Sequence, residues 1–306
     1  MPTADAGVRP DECPSVPLRT LPALVQTART YLNQRDNRRV GLSRLGSLVS
    51  ADAQCSSTSL TMSLLSLYGG DRTALLDECH ALAREQGSPL DDAGEDDIEL
   101  AVMDVILGTD WDRATRRAPT FFEGRDWRPR GHRGNRIVKN PFAQAYTAAR
   151  FSRCGDAGVS IASASVCLER GQAGPGLDQL GRWSWAQQMW QSGAEVSLQA
   201  RFTGGGHVVH ALEVSANDLV VHDPYGMCLA HGRYVRNGLA GAPLSGRLKA
   251  VAERRARRNP GLLEKLANQA IHARWGERNV YTRADLFALD GPEWVLAIGT
   301  GGARLA

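Results

Sequence analysis

The chain has 306 residues, 42% of them apolar and 23% charged, which is material for one large core or two modest ones. Its 36 basic and 33 acidic residues leave a formal charge of +3, too balanced to mark a nucleic-acid partner. Six scattered cysteines, Cys13, Cys55, Cys79, Cys154, Cys167 and Cys228, include no CxxC pair, which argues against a zinc knuckle and a small disulfide scaffold.

No run reaches the ~20 apolar residues of a membrane span. The first 17 residues carry acids and prolines without an apolar segment, so no secretory signal is expected there. The expectation is synthesis in the cytoplasm, with any action outside it requiring a non-standard route.

Residues 1–20, with Pro2, Pro10, Pro14 and Pro17, read as a flexible tail, and 21–306 as a single domain. Leu24, Val25, Ala28, Tyr31 and Leu32 suggest a short helix leading into Asn33-Gln34-Arg35-Asp36-Asn37. Cys55 then stands at a helix start. Ser and Asp before and within the first turn supply N-cap chemistry, Leu60, Leu64, Leu65 and Leu67 carry the apolar period, and Gly69-Gly70 stops it. A thiol there feels the positive end of the helix dipole, which favours the nucleophilic thiolate. A buried structural cysteine is the alternative reading.

Helices are expected over 71–85 and 96–107. The acids between them, Asp91, Asp92, Glu95, Asp96 and Asp97, lack EF-hand spacing and read as an acidic helix N-terminus, so no metal is expected. The basic stretch at about 111–140 reads as an inserted loop, and 141–151 as a short helix. Val159, Ile161 and Val166 are ambiguous between strand and helix, and 171–181 reads as a loop. Trp183, Trp185, Met189 and Trp190 crowd one short helix and are assigned to core packing, with a substrate groove as the alternative.

Alternation then predicts a three-stranded antiparallel unit: 194–202, 208–214 and 219–222, with turns at Thr203-Gly204-Gly205-Gly206 and Ser215-Ala216-Asn217-Asp218. Residues 238–275 read as a second, basic, helix-like insertion. Trp294-Val295-Leu296-Ala297-Ile298 reads as a final strand.

A cysteine nucleophile needs a base, and the base needs an orienting group. His207 follows three glycines at the mouth of a strand, and Asp223 ends the next one. Gln34 is a candidate second donor to an oxyanion, beside the Cys55 N–H, and a surface-loop glutamine is its alternative; Gln54 is a weaker candidate. Strand register leaves the base open. A tight turn at Ala216-Asn217 would set His210 opposite Asp223, whereas an odd turn or one bulge would restore His207. His222 faces away from Asp223 along its own strand.

Tyr31-Leu32-Asn33-Gln34-Arg35-Asp36-Asn37, Cys55-Ser56-Ser57-Thr58-Ser59-Leu60-Thr61-Met62, Gly205-Gly206-His207-Val208-Val209 and Asp223-Pro224-Tyr225-Gly226 together resemble the papain-like cysteine peptidases related to bacteriocin-processing (double-glycine) peptidases. The nearest resemblance is to the branch found in phage and bacterial cell-wall hydrolases, and Asn279-Val280-Tyr281 and Trp294 are similar to its last strands. The chain departs from that pattern at Ser56, where many relatives carry Gly or Asn, in a long Gln34–Cys55 spacing, and in the 111–140 and 238–275 stretches. The resemblance implies an α+β papain-like fold, with a nucleophile helix in an N-terminal helical part packed on a C-terminal antiparallel sheet. It implies Cys55 as nucleophile, His207 as base, Asp223 as orienter and Gln34 as oxyanion donor. The implied reaction is peptide or amide hydrolysis without metal or other cofactor. The substrate it suggests is the stem peptide of peptidoglycan, as for a phage lysin or an antibacterial effector, with an immunity or delivery protein as a further partner. A protease or deamidase acting on a target protein, and a catalytically silent peptide-binding module, are the competing readings.

Overall fold

The computed structural model describes residues 30–32, 54–88, 90, 93–117, 137–169, 172–201, 206–224, 229–230, 233–234, 279–288 and 290–299. The 1–20 tail, Gln34, and the 238–275 stretch lie outside the described residues. In chain order the helices are α1 (Cys55–Leu67), α2 (Arg72–Glu85), α3 (Ile98–Leu107), α4 (Trp111–Arg117), α5 (Pro141–Ala148), α6 (Ser152–Ala157), α7 (Gln179–Gln191) and α8 (Arg283–Phe287), with a 3-10 turn at Glu95–Asp97. The strands are β1 (Val159–Ser163), β2 (Val166–Glu169), β3 (Gln172–Pro175), β4 (Glu195–Ala200), β5 (His207–Val214), β6 (Asp218–His222), β7 (Leu229–Ala230), β8 (Arg233–Tyr234), β9 (Asn279–Thr282) and β10 (Pro292–Ile298).

Eight strands form one sheet in the order β3-β2-β1-β10-β4-β5-β6-β9, and every neighbouring pair is antiparallel. The arrangement is mixed helix and antiparallel sheet, of the α+β kind. The 194–202, 208–214 and 219–222 strands form consecutive neighbours β4, β5 and β6, as alternation predicts. The ambiguous stretch at 159–167 is a hairpin of β1 and β2. The 171–181 stretch, read as a loop, contains the exposed edge strand β3, where Pro175 is tolerated because an edge has no further ladder to complete. The 111–140 stretch, read as an irregular loop, begins as helix α4, which buries Trp111 and Ala114.

Both faces of the sheet are covered. Trp294, Leu296 and Ile298 of β10 turn to the layer containing α1, α2, α3 and α5. The intervening Val295 and Ala297 turn to the opposite core, built on Trp183, Trp185, Ala186 and Met189 of α7. Their continuous apolar run is what a strand buried on both sides requires. The tryptophan helix thus packs as core, on the face away from α1.

Helix α1 sits inside the molecule: every residue from Cys55 to Leu65 is buried. Its many Ser and Thr side chains are small enough for close packing, and the hydroxyls of Ser57, Thr61 and Ser63 bond back to the helix and its cap. Ser57 donates to the Gln54 carbonyl (3.0 Å), Thr61 to Ser57 (2.8 Å) and Ser63 to Ser59 (3.2 Å). The C-terminus stops as predicted, with Gly69 and Gly70 at φ 66° and 81°, a conformation costly for other residues. The N-terminus differs from the expectation. Its cap is Gln54, whose side chain makes no capping hydrogen bond.

Leu64 of α1 is fully buried. Leu64→Ala is expected to destabilise the fold by about 2–5 kcal/mol, measured as a lower urea midpoint at unchanged slope.

Candidate active site

Three of the four residues singled out in the sequence meet at one end of the sheet. Cys55 opens α1, His207 opens β5, and Asp223 follows the last residue of β6. Gln34 is outside the described residues. Tyr31 donates its hydroxyl to the Asp223 backbone carbonyl (3.4 Å) and so lies at the same end.

Helix α1 meets the start of β5 at Val208. Ser59 Oγ donates to the Val208 carbonyl (3.0 Å), and the Val208 N–H bonds the Cys55 sulfur. Gly206, just before the strand, is a place of close approach: a Cβ there would come within 2.6 Å of Gln199 Nε2.

His207 Nε2 lies 2.8 Å from Asp223 Oδ1. Asp223 is fully buried, and its other oxygen, Oδ2, accepts a hydrogen bond from Tyr281 Oη (2.9 Å). With Nε2 committed to the carboxylate, Nδ1 is the ring nitrogen left for Cys55, to which His207 is hydrogen-bonded. Burial pushes the Cys55 thiol up. The hydrogen bond and charge of His207, the Val208 N–H and the charge of Lys139 together outweigh burial and hold it below the ordinary thiol value. Cys79 and Cys154 lack such partners. Burial and then the charge of Glu78 raise both, Cys154 to about 12.

The register settles which histidine shares a face with Asp223. The β5–β6 turn is tight, with the Ser215 N–H bonded to the Asp218 carbonyl (2.9 Å), and a shift in register follows between Ala211 and Glu213. Beyond that bulge Ala211 pairs with Val221 and His210 with His222. Continued one step, this sets Val209 against Asp223, and His207 lies one diagonal step away on the same face. His210 is on the other face. Its Nδ1 is 3.0 Å from Ser63 Oγ and its Nε2 is 3.6 Å from Glu195 Oε2. His222 faces the same way, fully buried, its ring 5.3 Å from that of Tyr31.

Ser63, His210 and Glu195 mimic a serine triad in composition. Ser63 lies in the middle of α1, its hydroxyl also engages the Ser59 carbonyl and Ser197 Oγ, and Ser63 and His210 are each 1% exposed. The arrangement joins α1 to β4 and β5 and offers no substrate access.

Two contributors were not singled out by role in the sequence. Tyr281 was noted only for its resemblance to family strands, and Lys139 only as part of a basic stretch. Among the described residues, no group of His, Cys, Asp and Glu could hold a metal ion, and no helix is long and apolar enough to cross a membrane. Cys55, Cys79, Cys154 and Cys167 are free thiols; Cys13 and Cys228 lie outside the described residues. No family model matches the chain, and no curated protein or solved structure matches it either.

Cys55 is expected to alkylate with iodoacetamide at a pH where Cys79 and Cys154 remain inert, as followed by peptide mass spectrometry across a pH series. His207→Gln should move the Cys55 midpoint upward, because the partner that lowers it is lost. His210→Gln should leave it in place. Tyr281→Phe, which removes one hydrogen bond to the Asp223 carboxylate, should slow Cys55 alkylation by about two- to tenfold at mildly acidic pH.

Proposed function

We propose that the chain is a papain-like cysteine hydrolase that cleaves a peptide or amide bond by acyl transfer. One observation carries this reading: a thiol at a helix N-terminus is hydrogen-bonded to an imidazole whose far nitrogen is held by a buried carboxylate with a second hydrogen bond from Tyr281.

The proposed steps follow from those contacts. Nδ1 of His207 takes the Cys55 proton, giving a thiolate and an imidazolium stabilised by Asp223. The thiolate attacks the carbonyl carbon. The first N–H groups of α1, which the Gln54 side chain leaves uncapped, receive the developing oxyanion, with the amide of Gln34 as the proposed second donor. The C–N bond breaks as the imidazolium protonates the departing amine. Water then attacks the thioester, with His207 taking its proton and returning one to the Cys55 sulfur. The carboxylic acid leaves, and the starting thiol is restored.

The proposed substrate is the stem peptide of peptidoglycan, and this choice rests on the sequence resemblance. The test is mass spectrometry of muropeptides from purified sacculi before and after incubation. New free amine and carboxyl termini are expected with the wild-type chain, none with Cys55→Ala, and at least about a 100-fold slower release with Asp223→Asn. Full activity in Cys55→Ala would refute the proposal. Intact sacculi together with cleavage in a panel of proteins would move the substrate to a target protein. A Cys55 that alkylates no faster than Cys79 would favour a silent peptide-binding module.

A further inference from the structure

We propose that Trp190 is a positioning residue, whose indole N–H holds the strand bulge at Leu212 that gives Asp223 to His207 rather than to His210. The inference rests on the hydrolase reading above, since it concerns how that base acquires its carboxylate.

The turn alone would give the other pairing. Val214 stands opposite Leu219 and Glu213 opposite Val220. A regular ladder continued from these pairs would set Leu212 against Val221, Ala211 against His222 and His210 against Asp223. It would also turn His207 to the other face, because a slip of one residue inverts every side chain. The observed pairs beyond the shift are Ala211 with Val221 and His210 with His222. Leu212 is therefore the extra residue, with no partner across the ladder.

An extra residue in a strand leaves backbone polar groups without their ladder partners. Here Trp190 supplies one: its Nε1–H donates to the Leu212 carbonyl at 2.8 Å. Trp190 comes from α7, on the far side of the sheet from α1, so the helix that covers the opposite face also holds the strand geometry used at the thiol. The apolar pattern of β5 agrees. Val209 and Ala211 pack in the α7 core, and so does Val214, which is out of phase with them unless one residue is skipped between. The phase change permits the bulge, and Trp190 donates to the carbonyl that the bulge exposes.

This separates register from packing, because deletion of Leu212 would give a regular ladder with the observed pairs on both sides. The deletion therefore removes the need for Trp190. The experiment compares wild type, Trp190→Phe, the Leu212 deletion and the combined variant, all as the full chain. The readouts are the pH profile of Cys55 alkylation by iodoacetamide, kcat and KM on sacculi, and thermal melting.

Trp190→Phe is expected to lower Cys55 alkylation at mildly acidic pH, and kcat, by about five- to tenfold with KM unchanged, the size of one lost hydrogen bond. The Leu212 deletion in that background is expected to restore both. A folded Trp190→Phe chain with the wild-type alkylation profile overturns the inference, as does a loss that the deletion fails to restore. If Trp190→Phe does not fold, recovery of fold and thiol reactivity in the combined variant supports the inference, and its absence overturns it. The hydrolase reading fails separately, when Cys55 of the wild-type chain alkylates no faster than Cys154.

Discussion

The geometry of this molecule depends on how Val208 bonds to helix α1. Backbone N–H and C=O of one strand residue point to the same edge. Strand β6 ends at His222, and α1 engages the first turn of β5 through both groups: Ser59 bonds the carbonyl and the Cys55 sulfur bonds the N–H. Val208 thus holds the first turns of the helix at two points, and Ser63, bonded to Ser197 and His210, holds its middle. Because His207 immediately precedes Val208, docking the helix also brings sulfur and imidazole together. The buried part of the helix carries many small side chains, among which the Thr61 and Ser63 hydroxyls bond within the helix.

A buried carboxylate would be costly without partners. Asp223 has them from three directions: His207 from β5, Tyr281 from β9, and Tyr31 from the segment before α1, the last at its backbone carbonyl. The imidazole is oriented by a group that is itself immobilised, which is what the proposed proton transfer between sulfur and leaving group requires. The neighbouring Ser63, His210 and Glu195 show how far composition is from function. The same types of side chain meet there, but mid-helix, with the hydroxyl already engaged and the surroundings sealed.

Much of this was legible in the residues. The stop of α1 follows from paired glycines, the β4–β5–β6 unit from alternation, and the final strand β10 from its apolar run. Cys55, His207 and Asp223 could be nominated because few residue types serve a thiol nucleophile. The start of α1 was less legible: hydroxyl and carboxylate side chains near Cys55 suggested a cap, but the cap residue is Gln54, whose side chain makes no capping hydrogen bond. Strand β3 was hidden because its exposed Gln172–Pro175 carries no apolar alternation.

Sequence by itself determined the local pieces: where a helix must stop, which stretches alternate, and which side chains have the chemistry for acyl transfer. These depend on backbone sterics and side-chain reactivity within a few residues. Only the tertiary structure decided between His207 and His210, assigned Tyr281 to the carboxylate, and set α7 against the face away from α1. The reason is physical. Register in an antiparallel pair is a long-range quantity, and a single unpaired residue at Leu212, met by an indole from another layer, reverses which side chains share a face.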